Sequence, residues 1–317
     1  MKKRILVTGG SGFIGSAICK KLVSENEVTV VDNNQRGSLK KLESIKDKIH
    51  FHKLDIRDQQ ALINCSKNID CIIHAAYVNG TEDFYIKPKE IVDIAIKGMM
   101  NVLEACKVNN IQELVLLSSS EVYHHAGIIP TPETIPLIIP DIKNPRFSYG
   151  GGKIASELML MNYCREDFKK AIIVRPHNVY GVNMGWEHVI PQLITKINSL
   201  QNEKRKDLEI QGDGSETRAF IHIDDFVDGF DIALKKAEHL EIVNIGNDSE
   251  IKIMSLVNTI IKLMNFECEI KSGKLREGST LRRCPDISKL RNFGFNPKIS
   301  LEESLPSIIE WYSKNQK

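Results

Sequence analysis

Short runs of aliphatic and β-branched residues alternate with amphipathic stretches through the first half of the chain. The runs Arg4 to Thr8, Glu27 to Val31, Ile49 to Leu54, Cys71 to His74, Glu113 to Leu117 and Ala171 to Val174 are strand-length and bounded by polar or turn-forming residues. Between them, Ile86 to Val108 and Ser148 to Tyr163 carry apolar residues at three and four spacing and read as the longest helices. This alternation predicts an α/β chain with six parallel strands in a doubly wound sheet.

Beyond Pro176 the period is less regular. Val189 to Leu200 and Asp225 to Ala237 read as helices, Leu208 to Ile210 and Ile242 to Ile245 as short strands. These pieces predict a smaller α/β cap domain across the carboxyl ends of the strands, where open α/β sheets bind ligands. The expected division is 1–175 plus a return segment at about 219–246 for the first domain, and 176–218 with 247–317 for the cap. The proline-rich stretch Ile128 to Asn144 is expected to be an irregular loop.

Composition narrows the function classes. The chain has 317 residues, 42% hydrophobic and 26% charged, which is ordinary for a folded soluble protein. Lys plus Arg number 43 against 41 Asp plus Glu, so a net charge of +2 provides no basic field for nucleic acid or an anionic bilayer. The basic start at Lys2-Lys3-Arg4 is followed by too short an apolar stretch for a secretory leader, and no later run is long enough to span a membrane. Seven scattered cysteines without a Cys-x-x-Cys pair point to reduced thiols and a cytoplasmic protein. The histidines lack metal-ligand spacing, and no metal is expected.

Chemistry enters at the first strand. Gly9-Gly10-Ser11-Gly12-Phe13-Ile14-Gly15 follows it directly and opens a helix, with Gly9 for the tight turn, Gly12 for backbone approach to a pyrophosphate and Gly15 for helix–strand packing. Asp32 ends the second strand, placed to accept hydrogen bonds from both hydroxyls of an adenosine ribose. Strand, glycine turn, helix, strand and acid in that order predict a Rossmann dinucleotide site. The carboxylate favours NAD over NADP, with Arg36 the one nearby feature that would suit a 2′-phosphate. Asp55-Ile56 after the third strand is expected either to touch the adenine or to cap a helix.

A second constellation follows the fifth strand. Tyr149-Gly150-Gly151-Gly152-Lys153 sets a phenol and an ammonium one helical turn apart. A phenol ionises near pH 10 in water, and a neighbouring cation lowers that value toward neutrality. The fifth strand ends in Ser118-Ser119-Ser120-Glu121, which brings hydroxyls and a carboxylate to the same edge of the sheet. A serine there can hydrogen-bond a hydroxyl that becomes a carbonyl, and a carboxylate can move a proton on the adjacent carbon.

With these motifs the chain resembles the extended short-chain dehydrogenase/reductase superfamily, in its nucleotide-sugar epimerase, dehydratase and decarboxylase branch. The matching pieces are Thr8-Gly9-Gly10-Ser11-Gly12-Phe13-Ile14-Gly15, Asp32, His74-Ala75-Ala76, Ser118 to Tyr123, Tyr149 to Lys153, Arg175 to Gly181 and Thr217 to Asp225. The resemblance implies Ser119, Tyr149 and Lys153 as the catalytic set, with Glu121 and Ser120 as further candidates. It implies Gly9, Gly12, Phe13, Ile14, Gly15, Asp32, Asp55, Ile56, Ala75, Tyr149 and Lys153 around the cofactor. Asn178, Arg218, Arg276 and Ser279 fall where relatives hold the nucleotide diphosphate and its ribose. Ala95 departs from the asparagine that relatives often carry near the cofactor. His177 and Trp186-Glu187-His188 could face the sugar pocket, although each taken singly reads as structural. A homodimer pairing the two long helices is also implied.

All branches begin alike, with Tyr149 taking a hydroxyl proton, Ser119 polarising the same oxygen and NAD accepting hydride from sugar C4. The leading expectation is a nucleotide-sugar 4-epimerase. A 4,6-dehydratase or uronate decarboxylase using Glu121 is the alternative, followed by a non-catalytic binder of NAD and nucleotide sugar, or a simple NADPH ketone reductase.

Overall fold

The computed structural model describes residues 2–124 and 126–315. Strand β1 (Arg4–Thr8) leads through Gly9 to Gly12 into helix α1 (Phe13–Leu22), and β2 (Glu27–Asp32), β3 (Ile49–Lys53), α2 (Gln59–Cys65) and β4 (Cys71–His74) follow. Helices α3 (Thr81–Ile86), α4 (Pro88–Asp93) and α5 (Met99–Val108) precede β5 (Glu113–Leu117), after which α6 (Ser148–Tyr163) leads to β6 (Lys170–Pro176).

Alternate residues of β1 enter different cores. Ile5 and Val7 pack with Ile18 of α1 and with Phe226 and Phe230 on one face of the sheet, whereas Leu6 joins Met99, Val102 and Leu114 on the other. A strand buried on both faces needs a nearly unbroken apolar run, and this is why the strands were visible in the sequence.

The sheet holds seven parallel strands rather than six. Ile242–Ile245 pairs with β6, giving the order Ile242–Ile245, β6, β5, β4, β1, β2, β3. Its four residues carry too little local pattern to reveal their partner; the helix Ile223–Lys236 makes the crossover that brings them back. Because β2 and β4 flank β1, the sheet reverses its winding there and opens a crevice beyond the carboxyl ends of β1 and β4.

The span Ile86 to Val108 is several helical pieces rather than one helix. Pro88 starts α4, since proline suits a first turn whose N–H would be unpaired. Residues Ile94–Gly98 then form a wider π-turn before α5. The remaining segments build short sheets and a third core around Tyr180, Ile194, Leu256 and Ile308. Ile128 to Asn144 contains no regular element. Among the described residues no helix is long and apolar enough to cross a membrane.

Candidate active site

The glycine turn shapes the crevice. Gly9 has φ +71, and a Cβ there would lie 2.6 Å from the backbone of Ala76, so the turn after β1 and the segment after β4 close together only around glycine. Gly12 caps α1 with no side-chain hydrogen bond, and the helix has no acid in its first turn. Its leading N–H groups and positive dipole end therefore suit an anion such as a pyrophosphate.

Asp32 is 8% exposed and lines the crevice. Its Oδ2 accepts the Ser11 N–H at 3.0 Å and its Oδ1 the Asn34 N–H at 2.8 Å, which fixes the carboxylate and leaves each oxygen further acceptor capacity for a ribose hydroxyl. Asp55 also lines the crevice and is held down to about 2 by its hydrogen bonds from Arg57. It does not cap the next helix, because Asp58 does so by accepting the Ala61 N–H at 3.1 Å. Ile56 and Ala75 complete this wall. Arg36 also lines the crevice, but its guanidinium is engaged in ion pairs with Asp83 at 2.5 Å and Glu187 at 3.0 Å. The residues present thus fit NAD.

Deeper in the same crevice lie Ser119, Ser120, Glu121, Tyr149 and Lys153. The Ser119 hydroxyl oxygen accepts the Glu121 N–H at 3.2 Å, which pins the oxygen and leaves the hydroxyl proton to be donated elsewhere. Tyr149 is stacked on Phe84, with ring centroids 4.8 Å apart, and is 4% exposed. Burial pushes its phenol well above the ordinary value, against the pull of a hydrogen bond with Ser119. Lys153 donates to the Leu117 carbonyl at 2.6 Å, and burial pulls its ammonium down to about 7.

Glu121 is clamped. Its Oε2 accepts from Arg146 at 2.9 Å and its Oε1 from Arg283 at 2.7 Å. Burial alone would raise this carboxyl, but the guanidiniums of Arg283 and Arg146 outweigh it and hold it well below the usual carboxylate range.

A buried network braces the end of β5. Ser118 donates to Glu157, whose carboxylate accepts from Arg175 at 2.6 and 3.0 Å, and Arg175 donates to the Tyr123 hydroxyl at 2.7 Å. Removing either side of such an ion pair would strand a buried charge at a cost of about 3–5 kcal/mol.

Of the residues expected at the nucleotide, Asn178 lines the crevice, while its amide donates to the Ala219 carbonyl at 3.0 Å. Arg218, Arg276 and Ser279 do not line it. Arg218 instead donates to the carbonyls of Thr217 at 2.6 Å and Thr280 at 2.7 Å, because the segment carrying Thr280 folds across its guanidinium. Arg276 and Ser279 form a turn, with Ser279 N–H on the Arg276 carbonyl at 3.1 Å. The arginines that do line the crevice are Arg36 and Arg283. His188 lines it too, against the structural reading, whereas His177 is fully buried and faces Asn244 at 3.2 Å. Sequence reasoning also missed Tyr77, although its place just beyond the β4 motif was a usable signal.

Comparison with known proteins agrees with this geometry. The NAD dependent epimerase/dehydratase family matches residues 5–246. A putative UDP-glucose 4-epimerase of Methanocaldococcus jannaschii is 33% identical over 99% of both chains. A UDP-N-acetyl-alpha-D-glucosaminuronate decarboxylase of Bacillus cytotoxicus is 29% identical over 98% of both. The dTDP-glucose 4,6-dehydratase of Streptomyces venezuelae, solved with NAD bound, is 26% identical and superposes with a TM-score of 0.87 over 98% of this chain and 97% of that one. With its glycine turn, Asp32, Ser119, Tyr149 and Lys153 on one crevice, this chain belongs to the NAD dependent epimerase/dehydratase family and is an NAD-dependent enzyme of it.

Proposed function

We propose that the protein is a nucleotide-sugar 4-epimerase that works through a transient 4-keto sugar. The observation that carries this reading is the clamp on Glu121. A 4,6-elimination needs a carboxylate free to take the C5 proton, and a carboxylate held between two guanidiniums is a weak base. Epimerisation at C4 needs no additional base.

In this reading Tyr149 takes the proton from the C4 hydroxyl, and Ser119 donates its free hydroxyl proton to the same oxygen. Lys153 supplies the cation that makes a phenolate tolerable in a buried site. Bound NAD supplies a two-electron acceptor that can return the electron pair to either face of C4. The turn from Gly9 through Gly12 and the start of α1 would cradle its pyrophosphate, with Gly15 allowing the helix to pack closely, while Asp32 would hold its adenosine ribose and Asp55 and Ile56 its adenine. Asn178 and Arg283, which line the crevice, would meet the nucleotide sugar, with Arg218, Arg276 and Ser279 outside the crevice lining. The seven free thiols, most of them buried, support a cytoplasmic setting. A second reading, uronate decarboxylation, is favoured by the Arg283 guanidinium, which lines the crevice and is a cation of the kind suited to a sugar carboxylate.

The test is incubation in deuterated water with UDP-, GDP-, CDP- and dTDP-sugars, uronates included, read by mass spectrometry and NMR. The expected product is a 4-epimer of unchanged mass without deuterium at C5. Loss of water with deuterium incorporated would replace the reading with dehydration, and loss of carbon dioxide from a uronate with decarboxylation.

A further inference from the structure

We propose that Tyr77 is a positioning residue of the reacting centre, whose ring face holds the Lys153 ammonium in place beside Tyr149. Tyr77 lies beyond the end of β4 and lines the crevice. Lys153 Nζ sits 3.7 Å from the centroid of its ring and 6.0 Å from that of Tyr149. The two phenol rings meet edge to face, 5.1 Å apart at 83°. A cation this close to an aromatic face is attracted by the ring quadrupole, most strongly where water is excluded.

Lys153 needs such a partner. Its residue is 2% exposed, an ammonium has three N–H donors, and the Leu117 carbonyl takes one of them. The charged and titratable groups around the pair offer little else. His74 on β4 is kept neutral by burial and by Lys153 itself, and Glu157 on α6 is committed to Arg175. Glu121, Arg36 and Arg146 bear on Tyr149, and the first is clamped by two arginines.

The placement of Tyr77 is not explained by its hydroxyl. That oxygen is buried with no hydrogen-bond partner among the described residues, an arrangement that costs free energy. The surroundings make room for it nonetheless. A Cβ on Gly152 would lie 2.4 Å from the Tyr77 hydroxyl and 2.8 Å from the Ala95 Cβ, so the third glycine of the Tyr149 to Lys153 turn keeps open the niche that Tyr77 fills. Glycine inside a helix is unfavourable, and here it is what lets the ring lie over the ammonium.

The consequence is a shift in two coupled ionisations. Without the ring face the Lys153 ammonium loses stabilisation and gives up its proton at lower pH. Tyr149, losing a neighbouring cation, ionises at higher pH. Both shifts disfavour the state in which a Tyr149 phenolate stands beside a Lys153 ammonium. The link to catalysis rests on the proposed role of Tyr149 as base, but the ionisation of Lys153 can be read without any sugar.

The experiment uses the full-length, NAD-loaded protein carrying isotope-labelled lysines, with the Lys153 signal assigned through Lys153→Arg and titrated by NMR. Tyr77 is replaced by phenylalanine, by a ring-trifluorinated phenylalanine and by leucine. The trifluorinated ring keeps the shape of the side chain while draining negative potential from its face, so it separates the π interaction from packing. Tyr77→Phe should leave the Lys153 midpoint unchanged. The trifluorinated side chain and Tyr77→Leu should lower it, the latter by about one pH unit. Equal midpoints for the plain and fluorinated rings would overturn the proposal, as would a Tyr77→Phe midpoint displaced as far as that of Tyr77→Leu. Failure to form a 4-epimer in the sugar panel would overturn the proposed reaction and leave this result standing.

Discussion

Glu121 shows how a residue's neighbours decide its chemistry. A carboxylate at the end of β5 suits a base, yet its two oxygens are spent on Arg146 and Arg283. This pairing stabilises the fold above the unfolded-chain carboxyl pKa of about 4.3 and is lost as pH falls through the lower folded value. Its charge also opposes ionisation of Tyr149. Glu121→Gln should therefore move the acid limb of kcat to lower pH, because removing a negative charge eases formation of the phenolate. The variant should keep activity within about 10-fold while losing about 1–3 kcal/mol of stability from the weakened pairing. A pH–rate profile with thermal unfolding checks both. Activity reduced by three orders of magnitude without that shift would instead identify Glu121 as the base. The partners of Glu121 could not be read from the sequence, since they stand 25 and 162 positions away and nothing local marks them.

At the scale of elements, the legible parts were those whose constraint is local. Strands β1, β2, β4, β5 and β6 are mostly buried, so composition alone exposes them, whereas the edge strand β3 is half open to solvent, and the glycine turn and Tyr149 to Lys153 need fixed spacing within one turn. The π-turn at Ile94–Gly98 escaped because its flanking cap residues keep helical dihedral angles and the apolar period runs through it. Arg218 escaped because its partners arrive from a distant segment. Arg36 belongs to the same class, joining the loop after β2 to α3 through Asp83 and to the 181–188 segment through Glu187. Arg36 itself lines the crevice, as do Gly185 and His188 on either side of Glu187, so these ion pairs strap segments of its wall together. Partly exposed ion pairs contribute roughly 0.2–1 kcal/mol each. Arg36→Ala should thus speed NAD release by about 2–10-fold with little change in thermal stability. Stopped-flow displacement of bound NAD measures this, and an unchanged release rate would show that the strap does not retain the cofactor.

For the whole molecule, the exposed apolar surface is unevenly spread. Val92, Ile96 and Met100 recur at every fourth position across α4, the π-turn and α5, and are 43%, 38% and 40% exposed. Leu158 on the adjacent α6 is 65% exposed. Polar faces on both helices would cost nothing in the monomer, so a stripe shared between two neighbouring helices is best accounted for by a second copy packing its own α4–α5 and α6 against them. A standard two-fold interface buries about 1,600 Å² in total. Sedimentation equilibrium should then give twice the chain mass of 35.8 kDa for the parent protein. Ile96→Glu combined with Leu158→Glu should give 35.8 kDa with NAD still bound, since neither residue lines the crevice. A charge buried in the two-fold contact meets its own copy, so each substitution acts twice per dimer, and dissociation should be complete at micromolar concentration. A parent protein that sediments as a monomer would leave the stripe without this partner, while a dimer unaffected by both glutamates would place the interface elsewhere on the surface.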